Sequence, residues 1–96
     1  MLTSRQRAYL IGLSNNEPVV LQIGKNGVTP ESVASAEEVF HQRELFKGSV
    51  LKNCPEEPDA CARMLAERTH AELVKVIGRR FILYRADKDK PVIELP

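Results

Sequence analysis

A single α/β domain of the two-layer α+β type, built on a four-stranded mixed sheet, is what three observations in this 96-residue chain predict. First, strand-length apolar runs alternate with helix-length amphipathic stretches in the order helix, strand, helix, strand, helix, strand, strand. Second, two of the helices lie between strands, and strand–helix–strand crossovers favour parallel, right-handed units. Third, the last two strands are separated only by Gly78-Arg79-Arg80, a hairpin spacing that makes the sheet mixed. With 43% hydrophobic residues, one core can bury roughly two thirds of the unfolded surface, so residues 1–96 read as one domain.

Each element has its own signals. Thr3 or Ser4 caps a first helix that runs to about Ser14, with Gln6, Leu10 and Leu13 on one stripe and Arg5 and Tyr9 stacked at i, i+4 on another. Asn15-Asn16-Glu17-Pro18 ends it, and Val19 to Ile23 is a short apolar strand. The second helix, Pro30 to about Gln42, sets Val33, Ala36 and Phe40 at spacings of three and four toward the sheet. Glu37 and Glu38 point in different directions on that helix, which argues against a paired-carboxylate site and leaves them on the surface. Leu45 to Leu51 is the second strand, with Gly48 as a weak or close-approach position, and Asn53 to Asp59 is a loop. A third helix from about Asp59 to Thr69 carries Cys61, Met64, Leu65 and Arg68 along one stripe. Leu73 to Ile77 and Phe81 to Arg85 form the closing hairpin. The charged tail past Asp87 is expected either to fray or to add a short edge strand at Val92-Ile93.

The stretch with chemistry is the turn Gly24-Lys25-Asn26-Gly27 between the first strand and the second helix. Glycines lacking Cβ open backbone conformations closed to other residues and let a ligand approach the main chain. Thr29 is suited to N-cap and Pro30 to the first helical position, so the turn delivers a helix N-terminus with its free N–H groups and partial positive charge. Lys25 adds a full charge and Asn26 both donates and accepts, which outlines a phosphate site. Four such residues alone can equally be a chain reversal. They lack the spacing and Gly-Lys-Ser/Thr ending of a nucleotide-binding P-loop and the glycine trio of a dinucleotide fold, so nucleotide hydrolysis loses its main support.

Net charge is +1, but its distribution is uneven. Between Lys75 and Lys90 stand six basic residues, Lys75, Arg79, Arg80, Arg85, Lys88 and Lys90, against Asp87 and Asp89. That asymmetry predicts a basic patch on a mildly acidic body, to which Arg5 and Arg7 can add. Six residues separate Cys54 from Cys61, which matches no common zinc spacing, and His41 and His70 lie in separate segments, so no metal site is expected. Both cysteines read as reduced structural thiols, although a disulfide across that loop is geometrically possible. No apolar run has signal-peptide or membrane-spanning length, and a cytoplasmic protein is the expectation.

Three blocks together, Ile23-Gly24-Lys25-Asn26-Gly27-Val28-Thr29, Glu44-Leu45-Phe46-Lys47 and Val76-Ile77-Gly78 leading to Leu83-Tyr84-Arg85, resemble the signature of the CRM domain family in its stand-alone bacterial YhbY form. The resemblance covers nearly the whole chain. It implies an RNA-binding domain folded like the C-terminal domain of translation initiation factor three, with sheet order one-two-four-three and strand four antiparallel to the rest. It also implies association with precursors of the large (50S) ribosomal subunit. The glycine turn is similar to the Gly-X-X-Gly loop of KH domains, which clamps RNA backbone. The family's loop carries over onto Gly24, Lys25, Asn26 and Gly27 and its basic strand positions onto Lys47 and Arg85; with Thr29 from the helix start and Arg79 and Arg80 from the basic patch these are the expected RNA-binding residues, and Arg5, Arg7, Lys75 and Lys88 are weaker candidates. Arg79 and Arg80 sit where family members vary. Gly48 stands where a β-branched residue is usual, and the overall charge is lower than the family's.

The expected function is therefore recognition of structured RNA by a monomer without cofactor or catalysis. A protein-binding adaptor on the ribosome, in which the glycine turn only shapes the fold, is the alternative. A small hydrolase using His41 or His70 is the weakest reading, since neither has a serine or carboxylate at an evident constellation spacing. Two tyrosines and three phenylalanines offer few stacking platforms, which favours recognition of backbone and shape over unpaired bases.

Overall fold

A computed structural model describes all 96 residues. Its elements follow the expected order: α1 (Ser4–Ser14), β1 (Val19–Ile23), α2 (Pro30–Gln42), β2 (Leu45–Val50), α3 (Pro58–Thr69), β3 (Glu72–Ile77) and β4 (Arg80–Tyr84). The sheet order is β1-β2-β4-β3, as the family resemblance implies. β1 and β2 pair in parallel, and β4 runs antiparallel to both of its neighbours.

Local chemistry explains the helix starts. Thr3 and Gln6 exchange side-chain-to-backbone hydrogen bonds of 3.1 Å in a capping box, and Thr29 and Ser32 do the same at 3.2 Å. Pro30 and Pro58 occupy the first turns of α2 and α3, where a missing N–H costs nothing. The start of α3 one residue ahead of Asp59 follows from Pro58, which is preorganised for that position.

The sheet is covered on both faces. On one, α2 and α3 pack Ala36, Phe40, Cys61, Ala62, Leu65 and Ala66 against Ile23, Phe46, Val50, Phe81 and Leu83. On the other, α1 lays Leu10 over Leu45, Val74, Ile82 and Tyr84, adding a partial third layer to the two-layer arrangement read from sequence. The alternation of strand side chains between the two clusters fixes the register. Two helix stripes shift from expectation. In α1, Ser14 is buried while Leu13 is exposed, and in α3 the buried stripe is Cys61, Ala62, Leu65, Ala66 and Thr69, leaving Arg68 in solvent. The small alanines let α3 approach the sheet closely, which outweighs the bulkier Met64 as a choice of core face.

Gly48 is a close-approach position. It pairs directly with Phe81, and a Cβ there would lie 2.2 Å from the Phe81 Cζ. The phenyl ring occupies the volume that a β-branched side chain would otherwise fill.

The tail forms no edge strand at Val92-Ile93. The buried Glu44 carboxylate accepts N–H bonds from Asp87 (2.6 Å), Val92 (2.9 Å) and Ile93 (2.7 Å), folding the tail back as coil. Ile93 and Leu95 then pack against the α1 cluster. No helix is long and apolar enough to cross a membrane.

Candidate nucleic-acid interface

The glycine turn closes with the Gly27 N–H donating to the Gly24 carbonyl at 3.0 Å, and Gly27 takes φ of +68°, which an L side chain rarely adopts. Lys25 and Asn26 project from its exposed tip. The amides of Lys25, Asn26 and Val28 donate to no protein group, so open N–H donors stand beside the N-terminus of α2. A second loop, Leu51 to Glu57, braces the turn from below. The Leu51 N–H donates to the Ile23 carbonyl at 2.8 Å, extending the parallel ladder past β2. The Leu51 side chain lies under Gly24, and Pro55 and Glu56 lie against the Cα of Gly27.

Strand register sets further cations on one face of the sheet: Arg80 stands level with Gln22 near the turn's end, Lys47 is level with Val19 at the start of β1, and Lys75 lies on the opposite edge strand. Cross-strand partners share a face, so Val19, Lys47, Ile82 and Lys75 form one row and Gln22, Ser49, Arg80 and Ile77 the next. Both rows lie on the α1 side of the sheet, since Ile82 belongs to the α1 cluster. α1 packs on β2, β3 and β4 around Leu45, Val74 and Tyr84 and stops short of the second row, leaving Gln22, Arg80 and Ile77 exposed. Lys47 is half-buried, and Lys75 and Arg80 are exposed. None of Lys25, Lys47, Lys75 and Arg80 forms an ion pair.

The remaining sequence-derived candidates have structural partners or lie elsewhere. Arg79 turns inward, donating from Nε to the Val50 carbonyl (2.8 Å) and from Nη2 to the Leu51 carbonyl (2.6 Å). Its charge still lies at the turn's end of the sheet, because only neutral carbonyls accept from it. Arg7 donates to the carbonyls of Leu73 (2.7 Å) and Val74 (2.5 Å), at the bulge between Leu73 and Lys75 on the edge strand. Arg5 is exposed on α1. Arg85 departs furthest from a patch continuous with the turn. β4 carries it to the Glu44 end of the sheet, about 17 Å from Arg80 at strand rise. There Arg85 pairs with Glu37 at 2.8 Å, donates to the Thr69 carbonyl at 2.8 Å and stacks 4.6 Å from the Phe40 ring centroid. This contact holds the Glu37 carboxyl below its ordinary value of 4.5, so Glu37 is not a bystanding surface acid. Lys88 and Lys90 lie at the same far end, in the tail.

Lys52 is the residue that the sequence reading missed. It is exposed in the turn between Leu51 and Cys54, alongside Gly24, but in sequence it stands in an acid-rich loop with no signal of that neighbourhood. Chemically, this end offers open amides, a helix N-terminus and cations that form no ion pair, with the Glu56 carboxylate lying against Gly27, a combination suited to anionic groups approaching the exposed tip.

An α/β domain with a glycine turn and cations on an open part of one sheet face is the class of protein these features define. The model of the CRS1/YhbY (CRM) domain matches residues 2–85, and the chain belongs to that family. It is 35% identical to YqeI of Bacillus subtilis, named a probable RNA-binding protein, over 100% of both chains. It is also 30% identical to a Haemophilus influenzae protein named as RNA-binding, covering 99% of this chain and 95% of the other. The solution structure of a candidate RNA-binding protein from Staphylococcus aureus superposes with a TM-score of 0.83 at 38% identity, over 100% of both chains.

Proposed function

We propose that this chain is a non-catalytic RNA-binding domain that docks on the sugar–phosphate backbone of structured RNA. The target is large-subunit ribosomal RNA during 50S assembly in the cytoplasm, and the binding unit is a monomer. The observation that carries this reading is the open Gly24–Gly27 turn with Lys25 at its tip and Arg80 at the same end of the sheet, with Lys47 and Lys75 further along the Arg80 face and none of the four cations paired with a carboxylate. Lys52 and the charge of Arg79 add to the same field. The names of the relatives support RNA as the anion.

Backbone is the expected feature read. Phe40, Phe46, Phe81 and Tyr84 are buried, so Tyr9 on α1 is the one exposed aromatic ring, away from the glycine turn. Without stacking platforms beside the phosphate site, phosphate geometry and RNA shape dominate recognition.

Crosslinking in cells followed by sequencing tests the target, and recovery of large-subunit ribosomal RNA is expected. In vitro, about four phosphate contacts give a logarithmic salt slope of roughly −3 to −4. Salt-independent binding, or none at low salt, overturns the RNA reading in favour of a protein-binding adaptor.

A further inference from the structure

Cys54 and Cys61 take no part in the anion site, yet they meet where its supporting loop joins α3. Their sulfurs are 3.5 Å apart, with Cys61 fully buried and Cys54 half-buried at the surface. A disulfide requires about 2.05 Å, so closure needs about 1.5 Å of movement. That movement falls on Cys54, which sits in a loop, whereas Cys61 is fixed on the buried face of a helix.

We propose that Cys54 and Cys61 are a modification site for small organic disulfides, closing to an internal disulfide that stiffens the glycine turn. Cys54, the accessible sulfur, attacks one sulfur of RS–SR as its thiolate, which breaks that S–S bond and expels RS⁻. The departing thiolate takes up a proton from solvent, equivalent to the one Cys54 lost. Cys61 then gives up its proton to solvent, attacks the Cys54 sulfur of the mixed disulfide and expels the second RS⁻, which takes up a proton from solvent in turn. Two protein thiols and one organic disulfide become one protein disulfide and two small thiols, with two electrons passing to the reagent. Burial, with the neighbouring Cys54 second, pushes the Cys61 thiol up to about 12, which assigns it the resolving role and leaves initiation to Cys54.

The structural consequence follows from what the loop touches. Leu51 is bonded to Ile23, Leu51 and Glu56 lie against the two glycines, and Cys54 N–H donates to the Leu51 carbonyl at 3.0 Å. Arg79 holds the Val50 and Leu51 carbonyls from the hairpin. A covalent tie from Cys54 to Cys61 on α3 therefore adds a second attachment to the loop that braces the turn.

The test uses the full chain with oxidised glutathione as the probe, reversed by a dithiol reductant. Peptide mapping is expected to find the Cys54–Cys61 disulfide, with a melting temperature raised by about 5–10 °C. Amide exchange is expected to slow severalfold at residues 24–29 and 51–57. Cys54→Ser, which leaves the buried Cys61 in place, should abolish all three changes while the reduced variant folds normally. A glutathione adduct that stays on Cys54, or disulfides only between chains, overturns the site. An internal disulfide that leaves exchange at residues 24–29 unchanged overturns the link to the turn.

Discussion

The two ends of the sheet use basic residues in opposite ways. At the end where β1 and β2 finish, Lys25 and Arg80 face solvent with no carboxylate partner, and Lys47 and Lys75 continue them along the face that α1 leaves open. At the other end Arg85 is held by Glu37, Arg43 lies 3.6 Å from Glu17, and the N-terminal ammonium lies 4.0 Å from Glu72. One end leaves its charge available to a ligand, and the other ties Arg85, Arg43 and the N-terminus to acids, leaving Lys88 and Lys90 of the tail unpaired. A net charge of +1 conceals this polarity, because the acids are not distributed evenly over the surface.

The sharpest way to disturb both ends together is at the seam between them. Gly48→Val forces a side chain into the Phe81 ring, and overpacking at such short range is expected to cost about 3 kcal/mol or more. Thermal unfolding should show a midpoint lowered by over about 10 °C.

Glu44→Gln tests the far end alone. It weakens three charge-assisted bonds to the tail and should cost about 2 kcal/mol. Hydrogen exchange should then show lost protection at Asp87, Val92 and Ile93, with unchanged RNA affinity.

Arg85→Ala should cost about 1–2 kcal/mol near pH 7, through the Glu37 bonds, the Thr69 carbonyl and the Phe40 ring. Its pH dependence has a definite sign. The folded state holds the Glu37 carboxyl below 4.5, so the pair's stabilisation is complete above that value and disappears as pH falls through the lower folded value. Denaturation of parent and variant at several pH values should therefore show their difference shrinking below about pH 4.5.

The smallest effects belong to the open face. Lys47→Ala, Lys75→Ala and Arg80→Ala should each weaken binding by about threefold to tenfold, similarly for different RNA sequences, and reduce the salt slope by about one. Filter or fluorescence titrations over a salt series read both quantities. A strongly sequence-selective loss at any of the three would replace backbone contact with base readout at that residue.

What was legible in the sequence was what is local. Thr29, Pro30 and the two glycines act within a few residues, and the capping box and the positive-φ turn form from the signals that announced them. The contacts that tie Arg79 to the main chain and carry Arg85 away from the turn were hidden because their partners are distant in the chain, at Val50 and Leu51 for one and at Glu37 for the other. A run of basic residues on a strand and its flanks is one patch in sequence, but pairing sends its two ends to opposite sides of the molecule. The role of Glu44 was equally hidden, since the N–H groups it collects lie more than forty residues downstream.

The division of labour between the ends is tested most directly by two variants measured side by side. Lys25→Asp combined with Asn26→Asp leaves both glycines, the Thr29 cap and Pro30 in place, but removes one positive charge and adds two negative ones at the proposed phosphate site. RNA affinity should fall tenfold or more, about 1.4 kcal/mol, with an unchanged melting temperature. Arg85→Ala should do the reverse, lowering the melting temperature while binding RNA like the parent. Undiminished binding by the double variant, or lost binding by a folded Arg85→Ala, would contradict the account.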